Sequence, residues 1–115
     1  MTLRIYHNPR CSKSRQTLTL LQENGHTPEV IEYLKSPPTA DELRDVLQML
    51  GMSPRDLMRK GEAVYKELEL GNASLSDEQL IDAIVANPIL IERPIVIAAD
   101  KAAIGRPPER VLDIL

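Results

Sequence analysis

The chain has no tryptophan, no phenylalanine and three tyrosines. Its core must therefore be aliphatic, and base stacking on nucleic acid has few candidates. A single cysteine, Cys11, excludes an internal disulfide and a cysteine-rich zinc site. No apolar run approaches the roughly 20 residues that span a bilayer, and the opening Met-Thr-Leu-Arg-Ile-Tyr has no apolar signal core. Cytoplasm is the expected location. What is present is ordinary for a globular chain: 43% hydrophobic and 27% charged residues in 115, the size of one domain.

Charge is unevenly placed. Arg4, Arg10, Lys13 and Arg15 precede the first acidic residue, Glu23, although the chain as a whole carries net charge −3. A short basic segment in an acidic protein is either an anion site or an unevenly charged solvated surface.

Local signals give an element order. Leu3–Tyr6 reads as a strand, broken by His7-Asn8-Pro9. Residues 12–24 read as a helix with Leu18 and Leu21 on one face, stopped by Gly25. Glu29–Tyr33 reads as a second strand, so the first third is a βαβ unit. Thr39 with Glu42 forms a capping box ahead of Leu43, Val46, Leu47 and Leu50 at helical spacing, closed by Gly51. Ser53-Pro54 starts a short helix, and Ser76 with Gln79 caps a helix presenting Leu80, Ile81, Ile84 and Val85. Ile89–Ile91 and Ile95–Ile97 are β-branched runs of strand type. Asp100 and Lys101 look like a hairpin turn into Ala102–Ile104, and Pro107 opens a last helix with Val111, Leu112 and Leu115 inward.

Cys11 falls at the strand–loop–helix junction, facing the positive end of the helix that begins near Ser12 and close in sequence to Arg10, Lys13 and Arg15. Each of these favours thiolate over thiol. Ser12 and Ser14 can donate to the sulfur or to an anion beside it. His7 would help if protonated or turned towards the sulfur. A buried, inert thiol is the other reading of a single cysteine. Two familiar reactions are disfavoured: a Cys-x5-Arg phosphatase loop needs Arg where Thr17 stands, and a Cys-x-x-Cys pair needs Cys where Ser14 stands. If Cys11 does redox chemistry, the resolving thiol comes from another molecule.

The segment from His7 through Cys11 to Arg15 resembles the active-site segment of the glutaredoxin-dependent (ArsC-type) arsenate reductases. So do Tyr33-Leu34 with Pro37-Pro38, Leu57-Met58-Arg59-Lys60, the run from Asn87 to Val96, Gly105-Arg106-Pro107-Pro108-Glu109 and Val111-Leu112-Asp113. The match runs in order along essentially the whole chain. It implies an α/β, thioredoxin-like fold (β-α-β, a helical insertion at about residues 39–86, then β-β-α) with a four-stranded mixed sheet in one domain of residues 1–115. It implies a cis bond at Arg93-Pro94. It makes Cys11 the nucleophile, Arg59, Arg93 and Arg106 the oxyanion-binding arginines, and His7, Ser14 and Arg15 supports for the thiolate and anion. It implies arsenate or a similar oxyanion as substrate, glutathione as cosubstrate and glutaredoxin as partner, with no bound cofactor and no metal. Nucleic acid and membrane are not expected partners, and a monomer is expected. Two alternatives stay open: a same-fold thiol protein acting on another substrate, such as a glutathione-linked disulfide, and a Spx-like regulator that binds RNA polymerase. Those regulators typically carry Cys-x-x-Cys, which Ser14 breaks.

Overall fold

The computed structural model describes residues 3–115. The backbone separates into two compact units, one holding the chain up to Ser36 together with Arg93–Leu115, the other Pro37–Glu92.

The first unit contains β1 (Leu3–Tyr6), α1 (Ser12–Glu23), β2 (Glu29–Ile31), β3 (Ile95–Ala98), β4 (Lys101–Ile104) and a closing 3-10 helix, Pro108–Ile114. The strands form one mixed sheet in the order β2-β1-β3-β4. β1 runs parallel to β2, with Ile5 opposite Val30, and antiparallel to β3, with Ile5 opposite Val96. β3 and β4 are antiparallel, with Val96 opposite Ala103. A parallel pair needs a long crossover, and α1 supplies it. Alternation along the strands puts Leu3, Ile5, Val96 and Ala98 on one face. There they pack with Leu21 of α1 and Val111 of the 3-10 helix, flanked by Leu18, Leu20, Ala103 and Ile114. Ile95 and Ile97, on the opposite face, are also buried.

α1 ends as its sequence predicts. Gly25 takes a left-handed φ of 82°, and the N–H groups of Gly25 and His26 close onto the carbonyls of Gln22 and Leu21, each at 3.0 Å. Other expectations need correction. The second strand stops at Ile31, because the N–H groups of Lys35 and Ser36 both turn back to the Glu32 carbonyl at 2.9 Å. The β3–β4 turn is Ala99-Asp100, with Ala99 at φ 56°, and Lys101 already pairs with Ala98 inside the ladder.

The last helix is 3-10 throughout. With three residues per turn, positions i, i+3 and i+6 share a face. Pro108 and Val111 are accordingly buried and Ile114 joins the core, while Leu112 and Leu115 are 36% and 39% exposed. The expectation that Leu112 and Leu115 point inward assumed the wrong period.

The second unit holds α2 (Ala40–Leu50), α3 (Pro54–Leu57), α4 (Ala63–Glu67), α5 (Asp77–Ala86) and the 3-10 turn Pro88–Leu90. α2, α3 and α5 each begin on a reciprocal capping box: Thr39 with Glu42, Ser53 with Asp56, Ser76 with Gln79. α2 ends on Gly51 in the left-handed conformation, φ 66°. α2 and α3 pack against α5, burying Leu43, Val46, Leu47, Leu57, Leu80, Ile81 and Ile84. On the surface the Arg44 guanidinium joins Asp41 to Glu78 across α2 and α5. Arg55 secures the following loop by donating to the Leu70 carbonyl at 2.7 Å and the Asn72 carbonyl at 3.1 Å.

Ile89–Ile91 is not a strand. Pro88 opens a 3-10 turn in which Leu90 N–H bonds the Asn87 carbonyl and Ile91 N–H the Pro88 carbonyl, both at 3.0 Å. Turn chemistry overrides the β preference of the isoleucines, and Ile91 makes one isolated antiparallel bridge to Met58.

Candidate active site

The loop between β1 and α1 folds on itself. Cys11 N–H bonds the Asn8 carbonyl, and the Cys11 carbonyl accepts the first helical bond, from Arg15 N–H, each at 3.0 Å. Asn8 Oδ1 accepts from Arg10 N–H at 3.0 Å. Cys11 is thereby the N-cap residue of α1, with extended backbone (φ −93°, ψ 122°) and no capping bond from its side chain. The first turn of α1 carries no acidic residue. The sulfur is thus fixed, partly exposed, at a helix terminus whose leading N–H groups favour negative charge.

Ser14 is fully buried below this loop. Its hydroxyl oxygen accepts from Asn8 N–H at 3.0 Å and lies 2.6 Å from His7 Nδ1. Burial lowers the His7 pKa below its ordinary 6.5, Glu32 opposes this, and Arg15 adds to it. The imidazole is therefore uncharged at neutral pH. The Ser14 hydroxyl keeps its own O–H and a second lone pair after accepting from Asn8 N–H, so its bond with Nδ1 is compatible with either neutral tautomer of the imidazole. His7 and Ser14, expected around the sulfur, are joined to each other. Arg15 Nη1 donates to the Pro9 carbonyl at 2.9 Å and so braces the same loop.

The β3–β4 side supplies the cations. Arg106 Nη2 lies 3.8 Å from Cys11 Sγ, within hydrogen-bonding range for sulfur, and its Nε donates to the Arg93 carbonyl at 2.7 Å. Arg106 thus connects the thiol to the residue before Pro94. Arg93 is half-buried, with Nε and Nη1 shielded from solvent. The Arg93-Pro94 bond is cis, as the family resemblance implies, and Arg106-Pro107 is cis as well, which no sequence signal indicated. Gly105 N–H bonds the Pro94 carbonyl at 2.9 Å. A Cβ on Gly105 would meet Thr17 Oγ1 at 2.5 Å and Pro94 Cγ at 2.9 Å. The absent side chain lets the Arg106 backbone approach α1.

Arg59 belongs to the second unit. Its N–H bonds the Leu90 carbonyl at 2.8 Å, its Nη1 donates to Glu62 Oε1 at 2.8 Å, and its Nε stands 3.8 Å from Glu92 Oε1. Its guanidinium is engaged by two carboxylates that the sequence reading did not single out, although Glu62 follows Arg59 at helical i, i+3 spacing. Asn8, Thr17 and Gly105 were also missed. Asn8 carried a local signal, as a turn-forming residue before proline; the contact of Thr17 with Gly105 joins distant parts of the chain. Among the described residues, no group of three His, Cys, Asp or Glu side chains is placed to hold a metal ion, and no helix is long and apolar enough to cross a membrane.

Known proteins are similar to this chain in sequence and in fold. The chain is 62% identical to the YfgD protein of Escherichia coli strain K12, over 98% of this chain and 96% of that one. It is 49% identical to an arsenate reductase of Neisseria meningitidis, over 98% and 97%. The solved structure of an arsenate reductase from Vibrio cholerae superposes with a TM-score of 0.97 at 52% identity, covering all of this chain and 98% of the other. These likenesses make the α/β architecture thioredoxin-like. Residues 6–114 match the ArsC family, and the chain belongs to that family.

Proposed function

We propose that this protein reduces arsenate to arsenite through Cys11, with glutathione and glutaredoxin supplying the electrons. The observation that carries the reading is Arg106 Nη2 at 3.8 Å from Cys11 Sγ, at the N-terminus of α1. An anionic nucleophile attacking an anionic substrate meets like-charge repulsion, and the site must offset it. Arginine suits this role because it stays protonated and offers a fork of donors to a tetrahedral oxyanion. Arg93, whose backbone carbonyl accepts from Arg106 Nε, is the second cation that the family resemblance assigns to the oxyanion. Arg59, whose guanidinium is engaged by Glu62 and Glu92 within the second unit, is assigned to the oxyanion on the family resemblance alone. The names borne by the Neisseria meningitidis and Vibrio cholerae relatives support arsenate as the substrate.

In the proposed sequence Cys11 thiolate attacks arsenic(V), forming an S–As bond and expelling an oxygen as water or hydroxide. The glutathione thiol displaces a second oxygen, giving Cys11-S–As–S-glutathione. A glutaredoxin thiolate then attacks the glutathione sulfur. The As–S pair passes to arsenic, which becomes arsenic(III), and glutaredoxin leaves as the mixed disulfide. Water cleaves the remaining Cys11–As bond, releasing arsenite and the thiol. The two electrons come from the glutathione and glutaredoxin thiols, so the chain needs no second cysteine. Ser14 and neutral His7 hold the loop that presents Cys11.

The test is arsenate-dependent NADPH oxidation, coupled through glutathione reductase. Turnover should require arsenate, glutathione and glutaredoxin together. Arg106→Ala should lower the rate about 10²–10³-fold, as for loss of one preorganised donor to developing charge. Absence of arsenate-dependent turnover while Cys11 is still rapidly alkylated would assign the thiol to another substrate.

A further inference from the structure

Arg59 is anchored within the second unit. Its segment runs antiparallel to Leu90–Glu92: Arg59 N–H bonds the Leu90 carbonyl at 2.8 Å and Glu92 N–H the Leu57 carbonyl at 3.0 Å, around the Met58–Ile91 bridge. The chain then turns, and Glu62 N–H closes onto the Arg59 carbonyl at 3.2 Å. This turn returns the Glu62 carboxylate to the guanidinium, with Oε1 2.8 Å from Nη1. The two side chains are only 26% and 24% exposed. Glu92 Oε1 stands farther off, 3.8 Å from Nε. Glu62 is also the N-cap residue of α4, yet its side chain makes no capping bond there. Thr39, Ser53 and Ser76 do use their side chains to hold the first turns of α2, α3 and α5. Glu62 forgoes that bond for Arg59.

A carboxylate oxygen at 2.8 Å is the kind of acceptor that one corner of a tetrahedral oxyanion presents to a guanidinium. Glu62 therefore holds a donor that an oxyanion on Arg59 would need. A tethered partner acts at an effective concentration that a free ligand of the same chemistry must exceed. A free monocarboxylate offers Arg59 nothing that Glu62 does not already supply, so it is kept out. A doubly charged tetrahedral oxyanion brings more charge and further oxygens, and so displaces Glu62. The displaced carboxylate has an alternative partner, because the leading N–H groups of α4 follow it directly in the chain. We propose that Glu62 is an internal competitor for Arg59, which sets the affinity of the site for oxyanions and excludes simple carboxylates. The proposal rests on the oxyanion role of Arg59 in the reading above and adds a residue that selects the ligand.

The test measures arsenate binding without thiols, and separately the arsenate KM in the coupled assay, for wild type, Glu62→Gln, Arg59→Ala and the double variant. Glu62→Gln keeps the shape of the side chain and removes its charge. It should tighten arsenate about three- to fivefold in both measurements, the equivalent of one partly exposed ion pair, with kcat within about twofold of wild type. Glu62→Ser, which places a favoured residue at the start of α4, should act in the same direction. Acetate should compete with arsenate in Glu62→Gln at a concentration that leaves wild type unaffected. In the Arg59→Ala background the Glu62 substitution should change nothing. Arsenate binding by Glu62→Gln that is absent, unchanged or weaker would overturn the proposal, and so would equal tightening without Arg59 or equal competition by acetate in both proteins. The two readings separate. Arg59-dependent tightening without arsenate turnover would retain the competitor and remove the reductase; turnover with an arsenate KM that Glu62→Gln leaves unchanged would do the reverse.

Discussion

Gly105→Ala tests whether close approach at one glycine positions the cationic side of the site. The new Cβ would lie 2.5 Å from Thr17 Oγ1, 3.1 Å from Thr17 Cγ2 and 2.9 Å from Pro94 Cγ. Real Cβ contacts essentially never fall below 3.0 Å, so something must move. None of the neighbours is free to move. Thr17 is buried and its hydroxyl donates to the Lys13 carbonyl at 2.8 Å, and Pro94 is a ring whose carbonyl accepts from Gly105 itself at 2.9 Å. Overpacking of this kind costs about 1–3 kcal/mol. Alanine restricts the unfolded chain and returns roughly 0.4–1 kcal/mol, so a net loss of about 1–2 kcal/mol is expected. With a urea m-value of about 2 kcal/mol per M, the middle of the usual range, the unfolding midpoint should drop by roughly 0.5–1 M at unchanged m. Arg106 follows Gly105 directly, so the shift should also carry Nη2 away from Sγ and lower Cys11 chemistry more than stability. Adding Thr17→Ala removes two of the three close atoms and should restore part of the midpoint. A Gly105→Ala protein as stable and as active as wild type would refute the close-approach argument.

Further outcomes follow from the same geometry. Leu21→Ala removes a fully buried side chain from the first unit's core and should cost about 2–5 kcal/mol in urea unfolding; a loss under ~1 kcal/mol would mean that α1 is not held by this contact. Thr39→Ala and Ser76→Ala each remove the acceptor of a helix-starting bond and should cost about 1 kcal/mol apiece, adding when combined. His7 has its pKa lowered by burial, so the unfolded chain binds the proton more readily. Its contribution to stability is complete above pH 6.5 and is lost as pH falls through 6.5 towards the lowered folded value. Thermal unfolding should therefore show a steeper acid-side loss in wild type than in His7→Gln, and equal slopes would remove His7 from the titration.

Much of this was legible because it is local. The capping boxes at Thr39 and Ser76 depend on a residue and its third successor, and the glycine stops at Gly25 and Gly51 depend on one left-handed residue each. The period of α2 gave its buried face correctly for Leu43, Val46 and Leu47. Failures came where local preference competes with another constraint. Pro88 turned an isoleucine run into a 3-10 turn. The closing helix kept its apolar residues but on a period of three, which moved Leu112 and Leu115 outward and Ile114 inward. In the site, the helix-start position of Cys11 could be read from the break at Pro9 and the residues that follow. The pairing of Arg106 with Sγ, 95 positions apart in the chain, could not. It depends on Gly105 fitting against Thr17 and Pro94, a contact with no sequence period. The family resemblance named Arg106 and left unstated how it is held.

The central claim is that the Cys11 sulfur, held beside Arg106, is the atom that attacks the oxyanion. The most direct measurement compares arsenate-dependent turnover of Cys11→Ser with that of wild type in the complete glutathione and glutaredoxin system, with folding of the variant verified by its unfolding midpoint. The account predicts that the folded variant has no arsenate-dependent activity above the enzyme-free rate. Substantial residual arsenate reduction by folded Cys11→Ser would contradict it.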